Sequence, residues 1–141
     1  MATFNKFDQF VEDVAHKVHD LENDTLMVML TNAAPIAGNS VKTDITEITA
    51  ENGYSAGGSQ ANQSSSGQTS GVYKLVLADV TFTASTGTIG PFRYAVLYND
   101  TPSSPADPLI AWWDYGSAIT LQNGESFTVD FDASGGVLTI T

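Results

Sequence analysis

From position 72 onward the apolar residues of this chain come in short runs, at 72–83, 92–98, 109–114, 118–121, 126–131 and 137–140, separated by turn-forming residues. Runs this short, broken this often, are strands rather than packed helices. Six of them at this spacing predict a mainly β fold, an antiparallel β-sandwich or jelly-roll-like domain. In Phe127-Thr128-Val129-Asp130-Phe131 the alternation is clean, so both Phe and Val129 face a core while Thr128 and Asp130 face water. A slip of one residue would bury Asp130, which specifies the register.

The turns carry their own chemistry. Asn123-Gly124 and Ser134-Gly135-Gly136 suit hairpins whose central residues need positive φ, and they predict a meander of the strands 118–121, 126–131 and 137–140. Thr86-Gly87 and Gly90-Pro91 break the chain between the long strand ending near Thr83 and the one starting at Phe92.

The N-terminal segment has a different period. Phe4, Phe7, Val11, Val14, Val18 and Leu21 recur at steps of three and four, which predicts one amphipathic helix over about 4–22. Asn5 and then Asp8 offer a cap and an acidic first turn, while Glu22, Asn23 and Asp24 oppose the dipole at the other end, so fraying is expected near Asn23. The heptad spacing admits a coiled coil, with β-branched Val in the seam leaning toward more than two strands. Phe10 and Ala15 widen the stripe and favour docking onto the domain's own sheet.

Residues 26–30 form an uninterrupted apolar run, expected as a strand buried on both faces. A turn follows at 32–38, with Pro35 and Gly38, and then a short strand at 45–48. Residues 52–71 are Gly, Ser, Gln, Asn, Ala and Thr with almost nothing else and no charge. This stretch reads as a loop, either mobile at the surface or ordered against a partner.

Composition limits what such a domain can do. At 141 residues and 42% hydrophobic content the chain suits one domain with one core. Sixteen acidic residues against five basic ones give a net charge of -11, which repels nucleic acid and anionic membrane surfaces alike. Without cysteine there is no disulfide and no thiolate metal site. No stretch approaches the ~20 apolar residues of a membrane span, and the N-terminus lacks a secretion signal, so an intact cytoplasmic product is expected.

Candidate chemistry is sparse. His16 and His19, with Glu12 or Asp20, could share a metal ion, but they lie outside the apolar stripe on what reads as a solvated face. Asp130, Asp132, Asn99 and Asp100 carry oxygen ligands suited to calcium, without EF-hand spacing. Paired carboxylates would serve glycoside hydrolysis if they flanked a bond, yet no nucleophile elbow, phosphate loop, dinucleotide motif or metalloprotease helix occurs. Neither an enzyme nor a cofactor or metal is expected. Trp112, Trp113 and Tyr115 form the strongest aromatic cluster; neighbours on a strand point to opposite faces, so one Trp enters the core. The other either lies under the N-terminal segment or a loop, or meets a sugar or a protein.

Several segments together resemble a known family. They are residues 1–21 with Asp24-Thr25-Leu26 and Leu30-Thr31-Asn32, the stretch from Gly53-Tyr54 to Gly58, Lys74-Leu75-Val76-Leu77-Ala78-Asp79-Val80-Thr81-Phe82, Gly90-Pro91-Phe92-Arg93-Tyr94-Ala95-Val96-Leu97-Tyr98-Asn99-Asp100, and Trp112-Trp113-Asp114-Tyr115-Gly116. The chain resembles the capsid decoration, or cement, proteins of tailed bacteriophages over nearly its whole length. The resemblance implies a structural virion protein, made in the host cytoplasm, that sits on the outer capsid surface, often as a homotrimer, and bridges subunits of the major capsid protein. It transfers no catalytic motif. The physical reading supplies the contact residues: Phe4, Phe7 and Val11 on the N-terminal helix, Tyr54 in the polar loop, and Trp113 and Tyr115 as aromatic anchors. A glycan- or receptor-binding module of a tail or fibre is the alternative.

Overall fold

The computed structural model describes residues 2–141 and is built from antiparallel sheets. In chain order the elements are β1 (Phe4–Lys6), α1 (Gln9–Ala15), β2 (Leu26–Thr31), a turn of 3₁₀ helix at Lys42–Asp44, β3 (Ser59–Gln60), β4 (Gln63–Thr69), β5 (Val72–Leu77), β6 (Val80–Thr83), β7 (Ile89–Asn99), β8 (Leu109–Leu121), β9 (Ser126–Val129) and β10 (Leu138–Ile140). A five-stranded sheet has the order β1-β8-β7-β2-β3, a three-stranded sheet the order β10-β5-β4, and β6 pairs with β9. The two smaller sheets pack against one face of the large one, so the mainly β, sandwich-like architecture holds.

Strand β2 shows why the large sheet organises everything else. Its alternation sends Leu26, Val28 and Leu30 into the main core, shared with Leu75, Leu77, Phe82, Leu97, Trp113 and Val129. Met29 points the other way, into a second cluster with Phe7, Val96, Tyr98 and Leu109. The strand is therefore buried on both faces, as its unbroken apolar run predicts. Neighbouring β7 alternates in the same manner, Ala95 and Leu97 to one side, Val96 and Tyr98 to the other.

The N-terminal segment departs from the single helix expected over 4–22. Residues 4–6 pair with β8, in register Phe4 to Trp113 and Lys6 to Ala111, and the helix is only seven residues long. It ends because Lys17 takes a left-handed backbone, φ 64°, with its N–H on the Val14 carbonyl and the Val18 N–H on the Asp13 carbonyl. This is a Schellman closure made by lysine where glycine is usual, so no residue announced it. The three-four spacing serves two faces of a sheet: Phe4 packs on the main core, Phe7 in the second cluster.

Other segments also differ. Residues 52–71 are no loop, because they contain β3 and β4, and β4 pairs with β5 through a two-residue turn at Ser70-Gly71 with both φ values positive. Residues 45–48 form no strand; one isolated bridge joins Glu47 to Thr31. The run 72–83 divides at Ala78-Asp79, which lets the chain pass from the three-stranded sheet to the β6–β9 pair. Residues 109–121 are instead one strand, and Gly90-Pro91 lies within β7 at an irregularity in its pairing with β8. The C-terminal meander does not form: the turn at Asn123-Gly124 carries β9 to β6, and β10 pairs with β5.

The two apolar residues one helical turn apart at the N-terminus separate these packing roles. Phe7 is fully buried while Val11 is 53% exposed. Phe7→Ala should cost about 3–5 kcal/mol in urea unfolding, and Val11→Ala no more than about 0.5 kcal/mol. Equal costs would contradict this placement.

Candidate contact surface

The expected contact residues divide by burial. Phe7, Tyr54 and Trp113 are interior, with Tyr54 3% and Trp113 7% exposed. Phe4 and Tyr115 are half-buried and packed on the core, and Val11 alone faces solvent. Trp113 sits between Phe4 and Phe131, with ring centroids 5.8 and 5.5 Å away, both edge-on. Trp112, on the opposite face, lies against Phe7 at 4.6 Å. Trp113 is thus covered and is an anchor of the fold rather than of a partner, while Trp112 is half-buried beneath Phe7.

Tyr54 belongs to a polar pin. Its hydroxyl accepts the Leu30 N–H at 3.0 Å and donates to Glu47 Oε1 at 2.6 Å. The same carboxylate oxygen accepts the Gly57 N–H at 2.6 Å, and Tyr98 donates to the Gly57 carbonyl at 2.6 Å. Burial, and the bond to Glu47, push the Tyr54 hydroxyl well above its ordinary pKa, and burial does the same to Tyr98. Gly58 cannot be replaced here, because a Cβ would stand 1.8 Å from the Val28 carbonyl oxygen. The segment that reads as low complexity is held at its base by this network.

Tyr115 lines a small cavity with Trp113, Thr128, Val129, Asp130 and Phe131. Its ring packs edge-on to Phe127 at 4.9 Å, and burial with the nearby Asp130 charge pushes its pKa up to about 12.

Several acidic residues are occupied locally, though Asp13 Oδ2 is buried without a partner. Asp132 accepts the Ser134 and Gly135 N–H groups, both at 2.8 Å, and these bonds hold its pKa below the usual range. Asp44 is lowered likewise by the Ser40 and Val41 amides. Asp114 binds Arg93 through both oxygens, at 2.8 and 3.0 Å. Asn99 is fully buried and ties Asp24 at 2.7 Å to His19 Nδ1 at 3.0 Å. Among the described residues no three His, Asp or Glu side chains converge as a metal ion requires. His16 is exposed and reaches Glu12 at 3.7 Å, while His19 lies apart, against the Phe10 ring at 5.2 Å.

Outside the core, the most exposed large apolar side chains are Ile36, at 63%, and Val11, at 53%. They lie on two segments joined by the Asp8 N–H bond to the Ala37 carbonyl at 2.9 Å. Sequence reasoning named Val11 and missed Ile36, since a residue beside Pro35 in a turn carries no periodic signal. No helix among the described residues is long and apolar enough to cross a membrane.

Two measurements probe the buried polar groups. Tyr54→Phe strands the Leu30 N–H and removes one of the two donors to Glu47 Oε1, so it should lower stability by about 1–3 kcal/mol in denaturant melts. His19 has its pKa held below 6.5 by burial, partly opposed by the charges of Asp13 and Asp24. The unfolded chain then binds the proton more readily, so the contribution of His19 is complete above about pH 6.5 and is lost as pH falls through the folded pKa. His19→Gln should accordingly shrink the drop in urea midpoint between about pH 7.5 and 5; an unchanged drop would assign the acid sensitivity elsewhere.

No protein-family model, no curated protein and no solved structure matches this chain.

Proposed function

We propose that the chain is a structural virion protein of the capsid-decoration type, bound to the outer shell of a tailed phage and bridging subunits of the major capsid protein. The observation that supports it most is the exposed pair Val11 and Ile36 on a rigid β body, offered by the α1 segment and the adjoining turn. Exposed apolar side chains on a scaffold that holds them in place lose little entropy on docking. Around them lies a surface whose net charge of -11 opposes unspecific aggregation.

Cross-linking then works by burial repeated many times. A standard interface buries about 1,600 Å², and many modest contacts around a closed shell act together, so each needs little affinity of its own. Copies of the chain, as the trimer the resemblance implies or in another arrangement, multiply the effect. The glycan-binding alternative needs a free aromatic face, which Trp113 at 7% exposure does not offer and the half-buried Trp112 and Tyr115 offer only in part.

Purified protein should add back in stoichiometric amounts to shells stripped of it and raise the temperature at which they rupture. V11E/I36E should fold normally by circular dichroism yet lose most of that binding. Failure of the unaltered protein to bind bare shells would end the proposal.

A further inference from the structure

The segment that joins α1 to β2 is tied to the sheet at one buried point, and that point can take up a proton. Residues 16–20 form their other bonds with α1 or with the turn at 20–24. The Lys17 and Val18 amides close the helix on the Val14 and Asp13 carbonyls, and the Asp20 amide donates to Asp24. Among the described residues, the one hydrogen bond from 16–20 to a strand joins the His19 ring to Asn99, the last residue of β7, at 3.0 Å.

The bonds around Asn99 fix where the ring carries its proton. Asn99 is fully buried; its Oδ1 accepts the Thr101 N–H at 3.1 Å and its Nδ2 donates to Asp24 Oδ2 at 2.7 Å. Exchanging the two amide atoms would set Nδ2 against an N–H and Oδ1 against a carboxylate, so the amide is held in this orientation. Nδ2 therefore also donates to His19, and Nδ1 is an acceptor without a proton. The neutral ring carries its proton on Nε2. Nε2 is buried without a partner, and among the described residues Asp13 Oδ2, on α1, is the other buried side-chain atom in that condition.

A second proton can go only to Nδ1, where it points at the Asn99 amide, donor against donor. Asn99 cannot turn to receive it without breaking its bonds to Thr101 and Asp24. We infer that His19 is a proton-operated latch: near neutral pH it fastens residues 16–20 and the closing turn of α1 to β7, and in mild acid it releases Asn99 while the sheets stay folded.

The ring faces Asp13 and Phe10 from α1, Asp24 from the turn before β2, and Asn99 from β7. The two carboxylates favour the charged form, yet burial outweighs them and holds the His19 pKa below 6.5. Once charged, the ring keeps a donor toward Asp13 and loses its acceptor toward Asn99, so the latch parts on the β7 side. The opening is local, because Phe10 keeps the first turn of α1 in the main core. Helix α1 also carries the exposed Val11, so the contact surface inherits the pH dependence. That last step alone rests on the contact reading of Val11.

Two measurements on the whole chain test the latch without using shells, so their failure would leave the capsid reading untouched. Long-range proton–nitrogen correlation at about pH 7.5 should place His19 Nδ1 in the unprotonated range and Nε2 in the protonated range; a proton on Nδ1, or averaging between the two tautomers, would overturn the assignment. Amide exchange, corrected for the intrinsic effect of pH, should show protection at Lys17 and Val18 falling roughly tenfold or more between about pH 7.5 and 5, while β2 and β7 keep theirs. In His19→Gln the side chain offers Asn99 an acceptor and Asp13 a donor but cannot titrate, so protection at 17 and 18 should be equal at the two pH values. No loss at these amides in the unaltered protein, a loss shared evenly by the sheets, or the same loss in His19→Gln would each overturn the latch.

Discussion

Everything in this fold follows from a central sheet that must be covered on both faces. Strands β2 and β7 are apolar at successive residues, so their side chains fill one core with Leu26, Val28, Leu30 and Leu97 and another with Met29, Val96 and Tyr98. Neither face can be left to water. One is covered by the two smaller sheets. The other, to which the sheet's own Trp112 contributes, is covered by Phe7 and Ile45, so the N-terminal segment and the long connection after β2 become structural parts rather than appendages.

Covering a sheet with irregular chain raises a polar problem, since loop backbone buried there needs partners. Glu47, Tyr54 and Tyr98 answer it by binding the amides of Leu30 and Gly57 and the carbonyl of Gly57. Thr31 adds bonds to the Thr46 and Ala33 carbonyls. This network holds the stretch leading into β3 against β2. Order in the low-complexity segment beyond it therefore starts from a carboxylate lying outside that segment.

With most of the large aromatic residues packed on the two cores, the exposed large apolar side chains are aliphatic, Val11, Ile36, Val72 and Ile140, set in an acidic coat. A net charge of -11 spread over such a surface opposes unspecific association.

Residue pattern alone determined the β class, the double burial of 26–30, the alternation at 127–131 and the assignment of only one tryptophan to the main core. These are decided by side-chain period, which survives any strand order. Tertiary structure decided the rest. Phe4, Phe7 and Phe10 are spaced as in a helix, yet a strand, a crossing and a short helix use the same spacing, and the stop at Lys17 is written in a residue with no special freedom at positive φ. Strand β4 has no apolar period because, at an edge exposed on both faces, its neighbour β5 supplies the burial. The hairpin residues at Asn123-Gly124 correctly mark a turn but not the strand that receives it, since β9 goes to β6 by long-range packing that no local preference encodes.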